Sequence, residues 1–368
     1  MHQNAARAAE RVPPHCPNPD CPYHKHLRGP WPYRKKGFYR SASRKQPIQR
    51  YQCRDCRRLF SDQTFSVTYW LKRPDLLARI PWMLVGCMGD RQIARALGCS
   101  QETVSRLRGR LGRHCMLFQM RMWALTPPRG PLAIDGFESF EYSQFHPCHF
   151  NLAVEAQTGF VPFFTDSELR RKGRMTARQK RKRAELEEMH GRPSPREIRH
   201  GIQDLLKVTL ENSEKAVVLS DEHKAYPPAL RQVDCQITHL VTNSKKPRTF
   251  QNPLFPVNEL DLLIRHSQSN HKRETIAFSK RRNSAAEKLA ILVVWRNWVK
   301  KRFEKGEKVT AAMLKGLTDR IWGWEEILEK RLFPGRIPLP DRWQRYYRRE
   351  IVTRASASNR VHDLAYAF

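Results

Sequence analysis

The chain of 368 residues carries 68 Lys and Arg against 36 Asp and Glu, which gives a formal net charge of +32. This length exceeds one typical domain, so two or three modules are expected. A charge this positive implies a polyanionic partner, and nucleic acid is the default partner of that kind. Nine cysteines and a polar start favour a reducing cytoplasm. The longest apolar stretches are too short to span a bilayer, so no membrane partner is expected.

Two close pairs of cysteines near the start of the chain have the spacing of a zinc site. The four thiols are Cys16, Cys21, Cys53 and Cys56. Zinc prefers thiolates in a tetrahedron, and two pairs from two turns supply that geometry with little strain in the loops. We therefore predict a zinc ribbon over residues 1–68, with structural Zn²⁺ as its cofactor. His15, His24 and His26 are close enough in sequence to replace one of the thiols.

Basic residues dominate the ribbon between positions 28 and 58, where Asp55 is the sole acid and aromatic residues are interleaved. This mixture is typical of surfaces that contact phosphates and stack on bases. A solvated basic surface around a structural zinc is the alternative.

Residues 90–111 have the pattern of a helix-turn-helix. An apolar stripe leads to Gly98, which ends one helix, and Ser100 caps the next. In such a unit the early residues of the second helix reach base edges in the major groove. We predict a DNA-binding domain over residues 69–126, with an ordinary helical hairpin as the alternative. The predicted DNA contacts are Gln101, Glu102, Ser105, Arg106 and Arg108.

A proline-rich joint at residues 126–131 marks the start of another module. Apolar runs that predict strands end at Asp135 and at Asp221, and they alternate with helical patterns, which favours an α/β sheet. A helix near residue 258 adds Glu259 and Asp261. An aspartate after an apolar run is most often a turn former. Several converging carboxylates in one basic module are instead typical of a Mg²⁺ or Mn²⁺ site with two ions.

Four segments carry a family resemblance. They are residues 49–60 (QRYQCRDCRRLF), 219–226 (LSDEHKAY), 258–265 (NELDLLIR) and 272–280 (KRETIAFSK). The chain resembles the insertion-sequence transposases that have an amino-terminal zinc ribbon, a helix-turn-helix and a ribonuclease-H-like DDE catalytic domain. The resemblance implies a mixed sheet with flanking helices over residues 127–305. It also implies that Asp135, Asp221 and a third acid carry two catalytic metal ions.

The third acid has two candidates on one helix. Glu259 agrees with the family pattern in residue type and in following an asparagine, so it is preferred. Asp261 is the alternate, because it stands one turn before Arg265 and would share its face. The structural alternative for Asp261 is a capping role in which it bonds back to Asn258, and that for Glu259 is a favourable charge in the first turn of the helix.

Two further segments are basic and have weaker signals. Residues 168–200 form a predicted insert in the catalytic domain, rich in Lys and Arg, that contacts flanking DNA or serves as a solubilising arm. Residues 306–368 read as a helical accessory segment, whose tryptophans at helical spacing are more often core than ligand-binding.

The sequence as a whole thus predicts a cytoplasmic, nucleoid-associated DNA transposase that binds terminal inverted repeats and cuts and joins strands. Because two element ends must be brought together, a homodimer or larger assembly is expected. A DNA-binding regulator derived from a disarmed transposase and a structure-selective nuclease are the alternatives.

Overall fold

A computed structural model describes residues 12–25, 31–44, 46–272, 274–356 and 359. Residues 1–11 of the predicted ribbon, His26, and residues 360–368 of the predicted accessory segment lie outside the described residues. The described chain has a mixed α/β architecture with two sheets and flanking helices. No helix in this described part is both long and apolar enough to cross a membrane.

A small antiparallel sheet opens the fold. A short helix, α1 (Pro22–Lys25), precedes three strands in the order β1 (Tyr33–Tyr39), β2 (Ile48–Cys53) and β3 (Leu59–Ser61). The tight turn after β2 is closed by the Cys53 amide, which donates to the Arg58 carbonyl at 3.0 Å. This turn brings Cys53 and Cys56 to the same end of the sheet as α1.

A helical module follows the small sheet, and capping residues set the boundaries of its helices. Its helices are α2 (Ile80–Val85), α3 (Asp90–Leu97) and α4 (Gln101–Trp123). Gly98 ends α3 with a φ of +61°, a left-handed conformation that favours glycine. Ser100 caps α4, since its side chain accepts a hydrogen bond from the Thr103 amide at 3.2 Å. The predicted helix-turn-helix caps are confirmed.

A five-stranded mixed sheet forms the centre of the molecule. Its strands are β4 (Leu132–Phe140), β5 (Pro147–Glu155), β6 (Phe164–Glu168), β7 (Lys215–Ser220) and β8 (Gln236–Val241), in the spatial order β6-β5-β4-β7-β8. The first three pair antiparallel, whereas β7 pairs parallel to both β4 and β8.

Helices cover both faces of this sheet. The helix α6 (Glu197–Thr209) packs on one face and α8 (Phe255–Ser267) on the other. The neighbouring helices are α5 (Ala177–His190), α7 (Tyr226–Leu230) and α9 (Arg282–Val294). Asn151 on β5 faces α6, where a Cβ on Gly201 would lie 2.4 Å from its side-chain nitrogen. The neighbouring Phe150 faces the opposite way, toward His271 just beyond α8. Because alternate residues of a strand point to opposite faces, α6 and α8 lie on opposite faces of the sheet.

The long helix α4 and the buried helix α9 pack unusually closely. A Cβ placed on Gly112 would come 2.6 Å from the Glu287 Cβ and 2.7 Å from its Cα. Only glycine permits this approach, because the Glu287 backbone cannot rotate away. The helix-turn-helix module and the central sheet are therefore joined through the α4–α9 contact.

The last described helices pack on α4 and on the central sheet. They are α10 (Ala311–Lys315), α11 (Trp324–Glu329) and α12 (Asp341–Tyr347). Asp166 on β6 accepts hydrogen bonds from the Tyr346 hydroxyl, from Arg342, and from Arg282 at 3.2 Å. Trp343 is fully buried and donates to the Phe164 carbonyl at 2.9 Å. This tryptophan is a core residue, in line with its helical spacing.

Three sequence expectations differ from the structure. Asp135 lies within β4 and not at the end of a strand, because pairing with β5 carries β4 on to Phe140. The apolar run at residues 160–165 predicts a strand that forms a hairpin with the preceding one, yet residues 160–163 are buried without pairing, so β6 begins only at Phe164. The basic insert divides into the exposed helix α5 and the start of α6, which packs on the sheet.

Candidate functional site

The four cysteines predicted as zinc ligands come together at one end of the small sheet. All four sulfur atoms lie within 4.8 Å of one another. Cys16 Sγ is 3.5 Å from Cys56 Sγ, and Cys21 Sγ is 3.9 Å from Cys53 Sγ. Tetrahedral zinc with sulfur at about 2.3 Å requires sulfur–sulfur separations of about 3.8 Å. The donor set therefore fits a structural metal ion such as zinc.

His15 and His24, the described histidines near this cluster, make contacts with other groups. His24 Nδ1 lies 2.8 Å from the Cys16 carbonyl oxygen, and His15 packs edge-on against Phe65. Burial raises the pKa of the Cys16 and Cys21 thiols, the latter to about 12. Metal binding would thus displace protons from these sulfurs, since thiolate is the ligand form.

The second helix of the helix-turn-helix offers an exposed polar face. Gln101, Glu102 and Arg106 are exposed at its start, and Ser105 is half-buried. On the opposite side Val104 and Leu107 are buried, as their spacing predicts. The exposed face is available to a DNA groove, and its contacts with bases remain predictions.

Arg108 is a correction to the predicted DNA contacts. Its guanidinium is buried and donates to Asp90 at 3.1 Å and to Glu287 at 2.8 Å. Glu287 is fully buried and also pairs with Arg349. Arg108 is therefore committed to holding α4 against α9, because removing it would leave buried carboxylates short of a partner. The sequence could not show this, since Glu287 lies 179 positions away.

Asp135 on β4 lies level with Asp221, which directly follows the neighbouring parallel strand β7. Leu132 pairs with Val218 and Ala133 with Leu219, and continuing this register two residues further brings Asp135 level with Asp221. Neighbouring strands lie about 4.8 Å apart, so the two carboxylates share one edge of the sheet.

Asp261, the alternate to the preferred Glu259, is the helix acid that faces this edge. It accepts a hydrogen bond from Arg265 Nε at 3.1 Å, and the Arg265 guanidinium lies 5.4 Å from the Phe137 ring centre. Phe137 follows Asp135 by two residues on β4, so both side chains point to the same face. Glu259 instead pairs with Arg302 at 2.8 Å and Arg296 at 3.3 Å.

The pKa of Asp135 shows that Asp221 and Asp261 lie close enough to act on its charge. Burial, together with the charges of Asp221 and Asp261, raises the pKa of Asp135 to about 6, whereas the Gly136 amide and the charge of Arg248 act to lower it. The Tyr226 hydroxyl lies 3.5 Å from Asp135 Oδ1. Within the described residues, the cysteine quartet is the one ligand group whose atoms all lie within 4.8 Å of one another; the three carboxylates are spaced more widely.

A loop beside these acids was not predicted from the sequence. The Glu222 carboxylate accepts from the Ser244 amide at 2.8 Å and from its hydroxyl at 2.7 Å, and the Asn252 side chain donates to the Pro247 carbonyl. These bonds hold together residues 243–252, which carry Arg248, and the charge of Arg248 acts to lower the pKa of Asp135. Glu222 and Ser244 are 22 positions apart, so the sequence indicated this site only through the run of basic residues at 245–248.

Residues 88–117 match the model of the bacterial regulatory proteins of the crp family. They form a helix-turn-helix of the DNA-binding type. This segment contains α3 and most of α4, the same residues whose exposed face is described above. The match supports DNA as a partner of the chain and says nothing about the central sheet. Among curated proteins, none matches this sequence.

Proposed function

We propose that the protein is a DNA transposase, which binds the ends of a mobile element through its helix-turn-helix and ribbon and cuts and joins DNA at the acids of the central sheet. The observation that carries the proposal is the meeting of Asp135, Asp221 and Asp261 on one sheet edge. A mixed sheet with helices on both faces supports it, because this is the ribonuclease-H-like architecture that the family resemblance implies.

The three carboxylates suit hard divalent cations. Mg²⁺ and Mn²⁺ prefer oxygen ligands, and a buried carboxylate such as Asp135, whose pKa is raised by neighbouring acids, is stabilised in its charged form by a cation beside it. Asp135, Asp221 and Asp261 would hold the ions, which would polarise the phosphodiester and activate the attacking hydroxyl. Glu259 has a different role in this proposal, because two arginines already neutralise it.

The chain's own residues would position the DNA. Arg248 lies close enough to Asp135 to lower its pKa, so its guanidinium is placed to bind a phosphate that approaches the acids. The exposed helix α5 carries many Lys and Arg and buries no residue, which suits contact with flanking DNA. A pair of element ends would require two or more copies of the chain.

The test is strand cleavage and strand transfer on labelled element ends with Mg²⁺ or Mn²⁺. Asp221→Asn and Asp261→Asn should abolish both reactions, while DNA binding without metal is retained. Glu259→Gln is the matched control on the same helix and should keep measurable activity. Full strand transfer by Asp261→Asn would show that this acid is not part of the centre.

A DNA-binding regulator is the second candidate, because the crp-family match covers the helix-turn-helix and no other part of the chain. This candidate predicts binding that depends on salt and survives loss of Asp135 and Asp221, with no cleavage at any metal concentration. Cleavage without joining would instead indicate a structure-selective nuclease. The same assay therefore separates all three functions.

A further inference from the structure

Trp70 has an exposure and a backbone conformation that packing does not explain. Its side chain is 83% exposed, although tryptophan is among the most hydrophobic side chains. Its φ is +59°, in the left-handed region that bulky residues avoid. Strain of this kind persists where the surroundings hold it in place, and it often marks a binding site.

A cleft of about 500 Å³ opens beside Trp70, between the β1–β2 connection and the segment that follows β3. This volume is within the range of small-molecule sites. Aromatic, hydroxyl and basic side chains line it, and among the described residues no acid does. The lining includes Tyr39, Arg44, Thr68, Tyr69, Trp70 and Lys72.

The walls of the cleft are held rigidly against the second helix of the helix-turn-helix. Arg110 on α4 donates to the Val67 carbonyl at 2.9 Å and to the Tyr69 carbonyl at 2.5 Å. The opposite wall is tied across the cleft, since the Arg44 guanidinium donates to the Thr68 hydroxyl. The backbone that leads to Trp70 is thus tied to α4, the helix on which Arg106 is exposed.

We propose that this cleft binds an unstacked nucleobase of DNA, with Trp70 as the stacking surface and Lys72 near the adjoining phosphate. Every base has a flat π-face that stacks on an aromatic side chain, and a base still paired within a duplex cannot enter a cleft. The basic lining and the lack of acids match a polyanionic strand. The site would favour single-stranded or distorted DNA over perfect duplex. This inference rests on the DNA-binding part of the proposed function and is independent of the acids on the central sheet.

Binding of the full-length protein to a short oligothymidine, to a perfect duplex and to a duplex with a bulge tests this inference, with no Mg²⁺ added. Trp70→Asn removes the indole and suits the left-handed backbone, so the variant should fold at least as stably as the wild type. Its affinity for oligothymidine should fall ~5- to 150-fold, the range of base–aromatic stacking. Its affinity for perfect duplex should stay within about twofold of the wild type.

Two controls make the outcome specific. Trp82→Ala removes another exposed tryptophan that does not line the cleft, and it should leave oligothymidine binding unchanged. Trp70→Phe should retain most of the affinity, because phenylalanine still stacks. The inference is overturned if Trp70→Asn binds oligothymidine as the wild type does, or if it loses duplex binding equally. In the first case duplex binding would persist, so the proposed function would stand without the cleft.

Discussion

Replacing Asp135 with asparagine should stabilise the protein at neutral pH, because the carboxylate is placed where ionisation is costly. Burial and the charges of Asp221 and Asp261 raise its pKa from the usual 3.8 to about 6. One pKa unit corresponds to about 1.4 kcal/mol, so the shift corresponds to about 3 kcal/mol. An amide of the same shape carries no charge and avoids this cost.

The sign of the pH dependence follows from linkage. Between pH 3.8 and about 6 the folded protein keeps a proton on Asp135 that the unfolded chain has released. The Asp135 contribution to the free energy of unfolding therefore falls as pH rises through this window, and it is constant above and below it. Asp135→Asn should match the wild type near pH 3.5 and exceed it by about 3 kcal/mol near pH 7.5.

Urea denaturation of both proteins at these two pH values provides the measurement. Adding Mg²⁺ at 100 times its dissociation constant should stabilise the wild type by about 2.7 kcal/mol and the variant by less, because one ligand is missing. Glu259→Gln is the control, since its carboxylate is already paired with two arginines. It should not stabilise the protein at any pH.

Two results would refute this reasoning. If Asp135→Asn were no more stable than the wild type at pH 7.5, ionisation of Asp135 would not cost free energy in the folded protein. If Mg²⁺ stabilised the variant as much as the wild type, Asp135 would not be a ligand for the ion.

Three further predictions concern the other sites. Cys53→Ser should lower the zinc content measured by metal analysis, whereas Cys87→Ser should not; equal zinc in both would contradict the four-thiol site. Arg106→Ala should weaken binding to element ends by up to about 3 kcal/mol and leave the free energy of unfolding unchanged. Arg108→Ala should instead lower the free energy of unfolding by about 3 kcal/mol. Gly112→Ala should lower the thermal midpoint and cost about 1–3 kcal/mol, since its Cβ would meet the Glu287 backbone; an unchanged midpoint would show that α9 can move away.

Features that depend on neighbouring residues could be predicted from the sequence. The turn between α3 and α4 follows from Gly98 and Ser100, whose conformations and hydrogen bonds involve residues at most four positions away. Two close cysteine pairs were enough to indicate a metal site, because only two turns had to meet. The excess of basic residues indicated a polyanionic partner without any knowledge of the fold.

Only the tertiary structure decided which way the side chains of Arg108, Glu259 and Asp261 face. Arg108 has the spacing of a groove contact, yet it pairs with Glu287 because Gly112 lets α9 approach α4. Glu259 and Asp261 differ by two positions on one helix, so packing of α8 against β4 determines that Asp261 faces Asp135. Such orientations depend on contacts between residues more than a hundred positions apart, and no local pattern in the sequence records them.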